Sequence, residues 1–144
     1  MPKSTSACNS ILALIFNATA WSNFADNASS NPATHLYLSL HTANPGVGGA
    51  QTTNEATYGG YARLPVVRTT SGWTVPSGGA TGNAALAQFA ECTSGSNIVT
   101  HVAIGRDASG TGLVLYAGAL TAARTITAGI QPQFAPGALT VTET

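Results

Sequence analysis

The spacing of apolar and polar positions along this chain changes its period near residue 35. Before that point, Ile11, Leu12, Ile15 and Phe16 recur at intervals of one, three and four, which places them on one face of a helix. Ser4 or Thr5 stands where a side-chain oxygen accepts from the unpaired N–H groups of a first turn, so a helix is predicted over about 6–17. Trp21 and Phe24 carry the apolar character into an Asn- and Ser-rich loop. Residues 1–34 read either as a helix packed on its own domain or as an arm docked on a neighbouring subunit.

After residue 34 the period is two. His35–His41 alternates, with Leu36, Leu38 and Leu40 on one face, and predicts a half-buried strand. Further strands are predicted over about 58–68, 84–91, 98–105, 113–120, 124–128 and 133–142, with a short extended piece at Trp73–Val75. Pro65 marks the second of these as an edge or a bulge. Leu113–Leu120 is apolar almost throughout, the pattern of a strand covered on both faces. Gly78, Gly79 and Gly82 are read as a loop, and Gly110, Gly112, Gly129 and Gly137 as turns. About eight short strands with turn signals between them predict an all-β fold. The expected form is an antiparallel β-sandwich or jelly roll over residues 35–144, with the helix or arm in front of it.

Charge is the unusual part of the composition. Charged residues make up 7% of the 144, against about 25% in a typical soluble chain, and five bases balance five acids. No basic patch suggests nucleic acid as a partner. Ile11–Phe16 is too short to span a bilayer, which points to a soluble or assembled protein and away from a membrane. So few charges leave a free surface prone to self-association. Either partners cover that surface, or its Ser, Thr, Asn and Gly solvate it. Cys8 and Cys92 are the two cysteines, and their spacing does not say whether they meet.

No motif for catalysis or for a cofactor stands out. His35 and His41 lie about 20 Å apart on one strand, too far to share an ion, and His101 can approach only one of them, so no metal is expected. Glu55 and Asp107 are the acids that folding can bring together, but nothing in their spacing requires it. Asp107–Gly110 lacks the further carboxylates of a calcium loop and reads as a turn. No enzyme is expected, and a hydrolase using Glu55 or Asp107 is the last of the readings. Tyr58, Tyr61 and Trp73 are candidates for stacking on sugar rings in a glycan-binding module.

Six segments taken in order carry a resemblance. They are Leu36–Gly46 (LYLSLHTANPG), Asn54–Arg63 (NEATYGGYAR), Trp73, Asn83–Phe89 (NAALAQF), Thr100–Gly105 (THVAIG) and Phe134–Val141 (FAPGALTV). Together they resemble a family of small virion proteins of tailed bacteriophages, variously capsid cement, decoration or tail-fibre-like proteins. The nearest likeness is to the jelly-roll cement proteins of short-tailed phages of the Bordetella phage type. The resemblance implies a protein made in the host cytoplasm and placed on the capsid surface. There it would clamp neighbouring major capsid protein subunits and associate with itself, with no cofactor. A tail or tail-fibre structural role is the alternative. Arg and Tyr are enriched at binding hot spots, which makes Tyr61, Arg63 and Arg68 the expected anchors for a partner. The competing reading has the two arginines merely solvating an edge strand.

Overall fold

The structure is a computed structural model and describes residues 3–21, 24–25 and 32–144. Its contacts divide the chain into two compact units. One is made of Met1–His35, Val67–Ala87 and Phe134–Thr144, the other of Leu36–Val66 and Gln88–Gln133. Among the described residues there is one helix, α1 (Thr5–Phe16), and eight strands, so the chain is all-β with a short N-terminal helix. That helix is not long enough to cross a membrane.

In the first unit, Ser4 caps α1 as its sequence predicts, its hydroxyl accepting from the Ala7 N–H at 3.2 Å. At the other end Asn17 N–H donates to Ala13 C=O, and Ala18 takes a left-handed φ of 52° that stops the helix. Leu12 and Phe16 are fully buried and Cys8 nearly so. Phe16 meets Trp73 edge to face, with ring centroids 4.7 Å apart. Strands β3 (Ala80–Gly82) and β8 (Thr140–Thr142) pair antiparallel, with Thr81 opposite Val141. The predicted loop at Gly78–Gly82 therefore holds a strand. Gly79 at φ 78° turns the chain, and Ala80 onward finds a partner far along the sequence that local spacing does not announce. Asn83, 1% exposed, holds this region: its amide donates to Ala85 C=O and Ala135 C=O and its carbonyl accepts from Leu139 N–H. Trp21 and Phe24 stack at 4.9 Å; of the polar loop expected around and after them, residues 22–23 and 26–31 lie outside the described part.

The second unit is built on a sheet in the order β2 (Leu64–Val67), β1 (His35–His41), β5 (Ser96–Gly105), β6 (Val114–Thr127). Leu38 faces Ile104 and Leu40 faces Val102 on one side; Ser39 faces Ala103 and His41 faces His101 on the other. Leu36, Leu38, Leu40, Phe89, Val99, Ala103, Ile104 and Ile126 are buried. β1 is covered on both faces, not one, because Ser39 and His41 are also buried and bond each other. Pro65 sits on an edge strand, where its missing N–H costs no ladder bond. The predicted strand over 58–68 shrinks to Leu64–Val67, since Tyr61 N–H closes a turn on Tyr58 C=O around Gly59 and Gly60. Two further strands, β4 (Ala87–Gln88) and β7 (Gln133–Phe134), pair with each other. One sheet of four and two ribbons of two do not by themselves make the paired four-stranded sheets of a jelly roll.

Candidate interaction surface

The expected anchors are engaged inside the chain. Arg63 is 8% exposed. Its Nε donates to Glu55 Oε1 at 2.7 Å and one terminal nitrogen to Glu55 Oε2 at 2.8 Å, a bidentate pair. The remaining contacts go to the carbonyls of Asp107 at 3.0 Å and Gly110 at 2.7 Å. Arg63 thus fastens the 107–110 loop to the loop that carries Glu55. The bond to Glu55 holds its guanidinium above the usual arginine range, against the opposing effect of burial. Tyr61 is half-buried; its hydroxyl donates to Glu55 Oε1 at 2.9 Å and accepts from Leu40 N–H at 3.1 Å. Burial, with the Glu55 carboxylate beside it, pushes this phenol far up. Arg68 belongs to the first unit, where it donates to the carbonyls of Leu14 and Ile15 at 2.6 Å each and to Ala33 C=O, neutralising the C-terminal end of α1. Within the chain, Arg63 and Arg68 each tie several main-chain carbonyls together.

Gln51 completes the second unit's loop cluster. It is fully buried, and its Oε1 accepts from Asp107 N–H at 3.0 Å. A side chain at Gly105 or Gly112 would collide with the Gln51 amide, and Gly112 also has φ of 64°, so both positions need glycine. Asp107 accepts from Leu113 N–H at 3.0 Å, which with Arg106 nearby holds its carboxyl below the usual carboxylate range. Glu55 and Asp107 do converge on Arg63, but through one carboxylate and one main-chain carbonyl.

His41 is fully buried and faces His101 across the sheet. Thr53 C=O can only accept, so Nδ1 carries the proton at 2.8 Å from it, and Nε2 accepts from the Ser39 hydroxyl at 2.9 Å. Burial lowers the His41 pKa from 6.5, and Arg63 and His101 add to this while Thr53 and Glu55 oppose it. The unfolded chain then takes up this proton more readily than the folded one, so stability falls as pH drops below about 6.5. Urea midpoints measured across that range should decline less steeply in His41→Gln than in the native chain. Equal slopes would mean that His41 is not the titrating group. Among the described residues no group of three or more His, Cys, Asp or Glu is placed to hold a metal ion.

Of the aromatic residues considered for sugar stacking, two are buried and the third is half-buried. Trp73 is fully buried, Tyr58 is 3% exposed, and Tyr61 lies against both Tyr58 and Phe89 at centroid distances of 5.3 and 6.3 Å. What the chain does expose is β6. Its Ala117–Ala119 and Thr121–Thr125 are open to solvent, where the apolar run had predicted cover on both faces. The part of the run that β6 exposes is Ala117, Gly118 and Ala119, small residues that tolerate exposure, and the strand lies at the end of the sheet. No residue-type signal marks such a surface; strand order reveals it.

The sequence model of one protein family, described as podophage GP4 fiber I protein gp80, matches residues 2–142. The chain belongs to this family. The match takes in α1 and all eight strands. It also establishes a phage structural protein, the coarser part of what the six resembling segments implied. None of the curated proteins compared with it matches the chain.

Proposed function

We propose that this chain is a structural subunit of the fibre apparatus of a short-tailed phage, acting through the surfaces it covers and with no catalytic residue or cofactor of its own. The family match over residues 2–142 carries this reading. The chemistry agrees with it: Arg63, Arg68, Glu55 and His41 are spent on fastening loops, and the exposed strand is nearly uncharged. A rigid, neutral surface loses little on desolvation when another virion protein is laid on it.

Quantifying the protein in purified virions and locating it by immunogold labelling tests the proposal. A small, fixed number of copies at the tail end is the expected result. Hundreds of copies spread over the head, with shells that turn heat-fragile on its removal, would instead assign it to clamping the major capsid protein. That second reading draws on the resembling segments between Leu36 and Val141.

A further inference from the structure

His41 is the point at which β1 meets the turn Ala50–Asn54. Its Nδ1 donates to Thr53 C=O at 2.8 Å, and the next residue, Thr42, donates its N–H to Asn54 C=O at 2.8 Å. The main-chain bonds from the turn to the 111–112 loop are longer: Gln51 N–H reaches Gly112 C=O at 3.2 Å and Thr52 N–H reaches Thr111 C=O at 3.3 Å. The closed turn carries two costs. The fully buried Gln51 Nε2 finds no hydrogen-bond partner among the described residues, and Asn54 takes a left-handed φ of 55°. Of the groups around the His41 ring, Ser39 and His101 sit in paired strands, and Glu55 and Arg63 hold each other. Thr53 is carried by the turn, so lifting the turn brings water to the ring without parting a strand from the sheet.

We infer that Ala50–Asn54 is an acid-released lid latched by His41: when the ring takes a second proton, the turn lifts off β1 while the four-stranded sheet stays paired. Neutral His41 suits the closed lid, since Nδ1 gives its proton to Thr53 and Nε2 accepts the Ser39 hydroxyl. A proton on Nε2 ends the second bond as it stands. The Ser39 hydroxyl must then turn round to accept, and its own proton loses the acceptor it had. The bond to Thr53 tightens and the Glu55 carboxylate favours the charge, while Arg63 and His101 oppose it. Burial outweighs each of these, because the charged ring is kept from water. Opening replaces one carbonyl by water, and it also relieves the stranded Gln51 amide and the Asn54 backbone. The open form therefore binds the proton more tightly than the closed one. Opening is favoured as pH falls below about 6.5, by at most about tenfold per pH unit for a single proton. The inference stands on this loop alone and does not depend on where in the virion the chain sits.

Amide hydrogen exchange of the full chain, resolved by residue and corrected for the intrinsic rate at each pH, tests this between about pH 8 and 5, the range in which histidine titrates. Protection at the Thr42, Gln51 and Thr52 amides is expected to hold at the alkaline end and to fall up to about tenfold per pH unit below about 6.5. The amides that pair β1 with β5 should keep theirs. His41→Gln retains a donor for Thr53 and an acceptor for Ser39 but has no proton to take, so its lid amides should stay protected throughout. His101→Gln should retain the native response. Nuclear magnetic resonance titration of the His41 ring in the native chain gives a reading that needs no variant: the ring should become charged over the same pH range in which the lid amides lose protection. Lid protection that ignores pH, or a loss in step with the β1–β5 amides, overturns the proposal. So does a ring that stays neutral while the lid opens, a response retained in folded His41→Gln, or one abolished in His101→Gln.

Discussion

Glu55→Ala is expected to cost about 3–5 kcal/mol of unfolding free energy, because it strands a guanidinium that was paired in both of its planar directions. The Arg63 side chain is 4% exposed and has no route to water without releasing the carbonyls of Asp107 and Gly110. Tyr61 loses its acceptor in the same change. A fall in melting temperature of roughly 10 °C follows for a chain of this size, with the greatest loss of amide protection over residues 107–113. A loss below about 1 kcal/mol, the worth of a surface pair, would show that the cluster is wetter than its burial indicates.

Phe16→Ala is expected to be comparably severe, at about 3–5 kcal/mol, since it removes a fully buried ring and leaves a cavity against Trp73. The Asn17 amide donates to Trp73 C=O at 3.2 Å, so the same change loosens the end of α1. The helical signal in far-ultraviolet circular dichroism should therefore fall at lower denaturant than the strand signal. Coincident transitions at native strength would mean that α1 is held chiefly by Arg68 on its terminal carbonyls.

Local signals in the sequence suffice where one segment decides its own fate. The Ser4 cap and the face formed by Leu12 and Phe16 place α1 to within a residue, and the alternation of Leu36, Leu38 and Leu40 places β1. The gap left between predicted strands at 113–120 and 124–128 coincides with the bulge Leu120–Ala123, though the structure runs one strand through it. What local spacing does not contain is partnership. β3 exists because Val141 lies opposite Thr81, and the arginines turn inward because carbonyls from distant loops meet there. Strand order decides that the apolar run Leu113–Leu120 lies on an edge and not in a core. Tyr61, Arg63 and Arg68 share the capacity to make many contacts, and the fold uses it on its own loops.

Cys8 and Cys92 are both reduced and both buried, one in each compact unit. A thiol reagent reaches neither until the surrounding packing opens, so each sulfur acts as a timer for its own half of the molecule. Following the modification of the two residues separately under mild denaturant reports which half opens first. It does so on an unaltered chain, without a label or a mutation.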